Sequence, residues 1–272
     1  MQDVVRTAAK RLEHKTAVIY GAGGAIGGAV ARAFAREGAR VFLTGRHLAK
    51  MDTVAKDIRW DGGRVEAAEV DALDEQAVDR HLDAVVADTG GIDISFNAVG
   101  IPNTALQGVP LTELSAEQFS LPIATYTRTN FLTARLAARR MVAKQSGVIL
   151  TVTPIVARRG APLVGGFAVA MAAIEGLTRG LSAELASQGI RVLGLRQDAI
   201  PETGTIKEVF GIHARAHGIS WEQFHEMIAG FSHRRRLTTL AEVANVAAFL
   251  VSDAACAMTG TIANLTLGAL DD

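Results

Sequence analysis

Tyr20-Gly21-Ala22-Gly23-Gly24-Ala25-Ile26-Gly27-Gly28 is the stretch from which the rest of the chain is read. It follows an apolar run, Ala17-Val18-Ile19-Tyr20, and opens a pattern in which Ile26, Val30 and Phe34 recur a helical turn apart. Strand, glycine turn and helix therefore come in the order that a dinucleotide site requires. Glycines let the backbone approach a pyrophosphate, while the unpaired N–H groups and dipole of the helix start attract its charge. On this reading Gly21, Gly24, Ala25, Ile26 and Gly27 are cofactor-binding positions. The same glycines would also make an ordinary tight turn, so the flanking chain has to decide.

Further strand candidates follow Thr16–Tyr20 at Arg40–Thr44, Arg64–Val70, Ile92–Asn97, Gly147–Val152, Ile190–Leu195 and Thr261–Leu265, with helical patterns between them. That alternation predicts an α/β fold: a Rossmann-type, doubly wound parallel sheet of about seven strands with crossover helices on both faces. A length of 272 residues with 49% hydrophobic composition suits one domain spanning 1–272. Residues 1–15 read as a polar lead-in. Lys plus Arg and Asp plus Glu both number 28, so there is no net field to attract nucleic acid. The single cysteine, Cys256, makes no internal disulfide, and no secretory h-region or apolar run of spanning length is present. A cytoplasmic protein without membrane or nucleic-acid partners is the expectation.

Residues at the carboxyl edge of the strands carry the ligand argument. The second strand ends Thr44-Gly45-Arg46, and an arginine there accommodates the 2′-phosphate of NADP(H), where an acidic side chain would hold the ribose of NAD(H). A solvent-facing arginine at a helix start is the alternative. Asp71 is a candidate for the adenine amino group; Asn97 and Gly100 close the fourth strand, and Asn97 would serve equally as a tie between elements. Pro122 is expected to break the next helix, which restarts near Tyr126 and carries Asn130. Gly165–Gln188 is the other long helix. An insertion at about 203–231, with helical pieces Lys207–Ala216 and Ser220–Ile228, reads as a lid or a plain surface excursion.

Taken in order, the glycine turn, Asn97-Ala98-Val99-Gly100, Asn130, the Gly147–Val152 strand and the Arg236-Leu237…Glu242-Val243-Ala244 ending resemble the short-chain dehydrogenase/reductase family over nearly the whole length. The resemblance implies a nicotinamide cofactor, hydride transfer at a carbonyl or alcohol of a small molecule, and a homodimer or homotetramer built through the two long helices. Thr203 matches the family's threonine after the sixth strand. Tyr20 stands in place of the threonine that opens the family's turn, Ala25 in place of its middle glycine, and Gln197-Asp198 in place of a Pro-Gly.

The catalytic positions depart much further. The family uses an asparagine, a serine after the fifth strand and a Tyr-x-x-x-Lys pair. Asn130 matches the asparagine, but the other three positions hold Pro154, Phe167 and Met171. An alkoxide left by hydride transfer needs a proton, and none of these side chains can supply one or lower the pKa of a group that could. Arg196, Asp198 and Tyr126 are the candidates to take over. Against them stand an Arg196–Asp198 ion pair that merely holds the loop, and a structural tyrosine. His213, His217 and His225 have no metal-ligand spacing and read mostly as surface residues. Three functions follow: an NADP(H)-dependent oxidoreductase with a degenerate site, a non-catalytic ligand-binding or scaffolding protein, or a lyase, cyclase or isomerase using the same cleft.

Overall fold

β1 (Thr16–Tyr20) is buried at every position, and it pairs in parallel with β2 (Arg40–Gly45) on one side and β4 (Ile94–Asn97) on the other. With β3 (Arg64–Glu69), β5 (Gly147–Pro154), β6 (Ile190–Gln197) and β7 (Ile262–Leu265) it forms one sheet in the order β3-β2-β1-β4-β5-β6-β7, every pairing parallel. The computed structural model describes residues 10–271, so the first nine residues of the lead-in lie outside the described residues. All seven strand candidates are present. β5 and β6 each run two residues further than expected because Thr153 still pairs with Arg196 and Pro154 with Gln197.

Burial on both faces explains why β1 and the middle of β2 are continuously apolar. Ala17 and Ile19 face a core shared with α1 (Ala25–Arg36), α2 (Leu48–Trp60) and α8 (Leu240–Val251), while Val18 and Tyr20 face α3 (Glu75–Thr89) and α4 (Ala116–Lys144). α5 (Gly166–Leu185) packs beside α4 on that second face. α1 ends at Arg36, and Gly38 at φ +98° turns the chain into β2. Among the described residues no helix is long and apolar enough to cross a membrane.

The expected break at Pro122 does not occur, and α4 is continuous from Ala116. Pro122 falls in the second turn, where its missing N–H forgoes a single bond, and Ser115 with Gln118 closes a reciprocal cap on the turn before it. The neighbouring helix makes room. A Cβ on Gly166 would lie 1.9 Å from the Phe119 carbonyl oxygen and 3.2 Å from Pro122 Cγ.

After β6, the expected insertion folds as α6 (Gly204–His217) and α7 (Trp221–Gly230), capped by Thr203 and by a Ser220–Gln223 box. Phe210, Phe224 and Leu237 form its own small core, and Trp221 stacks on His225 with centroids 5.3 Å apart. Three contacts tie it across the sheet edge. Thr104 Oγ1 donates to Glu208 Oε1 at 2.5 Å, His213 Nε2 lies 3.2 Å from Gln107 Oε1, and the Arg159 guanidinium sits 5.1 Å from the centre of the Phe231 ring.

Candidate active site

A cavity of about 1030 Å³ runs along the carboxyl edge from the glycine turn to the underside of α6 and α7. At its first end Gly21 has φ +71°, and a Cβ there would meet the Ala98 carbonyl oxygen at 2.6 Å; one on Gly27 would meet the Gly21 carbonyl oxygen at 2.5 Å. The turn is therefore closed to larger residues at both positions. α1 has no side-chain cap and no acid in its first turn, whereas α3, α4, α6, α7 and α8 are all capped by side chains. Its first N–H groups are left facing the cavity edge, where an anion would satisfy them. Gly24, Ala25 and Ile26 line this end, the Ala25 methyl exposed on the wall.

Arg46 also lines the cavity and is exposed; no carboxylate pairs with it among the described residues. Asp71 lines it too, one carboxylate oxygen accepting from the Leu73 N–H at 3.0 Å. Gly100 and Thr203 complete the lining, with the Thr203 hydroxyl engaged as the cap of α6. Asn97 is a correction. Its amide donates to Thr133 Oγ1 and its oxygen accepts from the Val99 N–H, both at 3.0 Å, so the side chain ties β4 to α4 and does not line the cavity.

At the second end Pro154, Phe167 and Met171 all stand on the wall, so the positions counted from the sequence do converge. Tyr126 joins them. Its ring lies edge-on to Phe167 at 5.6 Å, and its hydroxyl accepts from the Ile101 N–H at 3.3 Å. Burial raises its pKa, while the Ile101 N–H pulls the other way. Asn130 sits one turn behind: its Nδ2 donates to the Tyr126 carbonyl at 3.0 Å, its Oδ1 is buried without a partner, and it does not line the cavity.

Arg196 is the largest correction. It neither lines the cavity nor pairs with Asp198; Nε and Nη2 grip the two carboxylate oxygens of Glu175 on α5 at 2.7 and 3.0 Å, with both residues 1% exposed. Thr153 Oγ1 donates to the same carboxylate at 3.2 Å, on the face away from the cavity. Asp198 does line the cavity. One of its oxygens accepts from the Ala199 N–H at 2.7 Å, the other is buried without a partner, and burial raises its pKa against the pull of Arg159.

Sequence reasoning misses Glu175, although it is the one charged residue from Gly166 to Thr178, a usable signal of a buried pair. It also misplaces His213, which is buried against Phe224 and bonded to Gln107; burial lowers its pKa and keeps it neutral. Among the described residues no group of three or more His, Cys, Asp or Glu could hold a metal ion.

A family model described as enoyl-(acyl carrier protein) reductase matches residues 21–269. An uncharacterized oxidoreductase of Bacillus subtilis, YxbG, is 33% identical over 250 residues, covering 92% of this chain and 89% of its own. A gluconate 5-dehydrogenase from Burkholderia cenocepacia, solved with NADP and tartrate, is 26% identical, with a TM-score of 0.83 and coverage of 96% and 97%. An NAD+-bound xylitol dehydrogenase at 24% identity and a TM-score of 0.88, covering 96% of this chain and all of its own, shares the fold. The sheet order, the glycine turn and these likenesses over nearly the full length place the chain in the short-chain dehydrogenase/reductase family.

Proposed function

We propose that the protein is an oxidoreductase that binds NADP(H) in preference to NAD(H) and acts on a carbonyl or alcohol of a small molecule, through a site stripped of the usual serine, tyrosine and lysine. The observation that carries this reading is the uncapped, glycine-lined start of α1 opening onto the same cavity as an unpaired, exposed Arg46. The residues fit the cofactor. Gly21, Gly24, Ala25, Ile26 and Gly27 would bring backbone to the pyrophosphate, Arg46 would take the 2′-phosphate, and Asp71 would take the adenine amino group. Bound there, a reduced nicotinamide supplies a hydride. Phe167, Met171 and Pro154 exclude water from the far end of the cavity, and α6 with α7 covers it.

Calorimetry with the two reduced cofactors tests the reading. NADPH binds more tightly than NADH, and Arg46→Ala removes most of that preference while leaving NADH binding intact; a missing 2′-phosphate contact of this charge-assisted kind is worth about 1.5–3 kcal/mol. No heat with NADPH would remove the cofactor from the account.

The apolar wall of Pro154, Phe167 and Met171 favours a second reading, a non-catalytic protein that holds a ligand or serves as a scaffold. If restoring serine, tyrosine and lysine at those three positions creates ketone reduction that the parent lacks, this second reading gains.

A further inference from the structure

Tyr126 is one of two tyrosines in the chain, and the other, Tyr20, is fully buried. Its ring is in edge contact with Phe167, the residue at the position where the family carries its acid, so a phenol stands beside that place on a different helix. The Tyr126 hydroxyl receives one hydrogen bond, from the Ile101 N–H at 3.3 Å. Its own hydrogen has no acceptor among the described residues, while the residue lines the cavity. A phenol held by a backbone donor, with its proton uncommitted in an apolar wall, is arranged to donate to a ligand.

We propose that Tyr126 is the proton donor of the reaction, supplied from α4 instead of α5, and that the substrate is a ketone with an apolar body. This rests on the oxidoreductase reading above. The carbonyl carbon accepts a hydride from the reduced nicotinamide, the carbon–oxygen π pair moves onto oxygen, and the Tyr126 Oη–H bond breaks to give that oxygen its proton. The resulting phenolate keeps the Ile101 N–H bond and regains a proton from water. The apolar body follows from the far end of the cavity, where Val209, Phe210, Phe224, Met227, Ile228 and Phe231 converge.

A direction follows from the surroundings. Ile123, Ala157, Ala170, Met171 and Ile174 pack with Tyr126, and burial among them raises its pKa; Arg159 and Asp198 are charged groups that line the same cavity. The family's lysine is replaced by Met171 and burial holds the phenol above its ordinary value, so phenolate is scarce near pH 7. The protein therefore reduces ketones far better than it oxidises alcohols, and oxidation rises with pH through the alkaline range.

The decisive measurement is fluorine NMR of the full chain with both tyrosines replaced by fluorotyrosine, the Tyr126→Phe variant assigning the two resonances. Tyr126 is expected to titrate at lower pH with NADP+, whose ring is cationic, than with NADPH, whose ring is neutral, and Tyr20 to stay unmoved. Equal midpoints with both cofactors bound overturn the proposal. Calorimetry that finds neither bound overturns the reading beneath it instead. In parallel, tetralone reduction by NADPH should lose about 10²–10⁴ in kcat in Tyr126→Phe, with cofactor affinity unchanged. A parent that binds NADPH yet reduces no tetralone, a Tyr126→Phe variant with full kcat, or a loss confined to Asp198→Asn would each sink the assignment.

Discussion

Arg196, next to last in β6, is fully buried, and Glu175 answers its charge from α5. The two buried charges are in bidentate contact, Thr153 donates to the same carboxylate and Arg179 stands 3.7 Å from it, so removing either charge breaks a buried network. Glu175→Gln or Arg196→Met should each lower stability by about 3–5 kcal/mol, while a Glu175→Met, Arg196→Met double variant should recover most of it. Urea melts of the four proteins check this cycle; additive losses would refute it. The same geometry explains what is legible at this scale. Pro154, Phe167 and Met171 are located from spacing alone, because strand, turn and helix fix their offsets locally. The partners of Arg196 and Asn97 come from elements far along the chain, where pairing leaves no period in the sequence.

At the scale of elements, all seven strands are legible: β1, β2 and β5 as apolar runs, and β3, with three charged residues, from its place in the alternation of strands and helices. α4 is not, since proline is read as a break without knowledge of what lies beside it. Its first turns are kept by the cap at Ser115 and by the bare Gly166 backbone against Phe119 and Pro122. Gly166→Ala would drive a methyl into a carbonyl oxygen that belongs to another helix. The expected result is a loss of about 1–3 kcal/mol or more, together with weaker closure of the wall that Phe167 forms. A thermal melt near that of the parent would show that the two helices part without penalty. His213 illustrates the same limit in α6: its neighbour Gln107 comes from the connection after β4, so nothing in the spacing of the insertion reveals its burial.

Over the whole molecule, one sheet edge gathers the glycine turn, Arg46, the apolar wall of Pro154, Phe167 and Met171, and α6 with α7 around a single cavity, as the alternation of strands and helices predicts for ligands at that edge. The outer faces of α4 and α5 carry a different message. Leu121 and Phe131 on α4 and Val169 on α5 are 51%, 43% and 46% exposed, which is unusual on two helices that pack so closely together. We expect these helices to pair with a second copy, giving a homodimer or homotetramer. Light scattering after size exclusion should report that assembly for the parent and a smaller species for Phe131→Glu with Leu121→Glu. A monomeric parent would refute it.

The stacking of Trp221 on His225 gives the two helices after β6 a signal of their own. The chain has only one other indole, Trp60, which is 92% exposed at the far end of α2 and sits in bulk water. The imidazole lies flat on the Trp221 indole, in surroundings unlike those of Trp60, which meets only solvent. Removing the Trp60 indole by substitution with phenylalanine would leave a protein whose indole emission comes from α7 alone, the helix that also places Phe224, Met227 and Ile228 on the cavity wall.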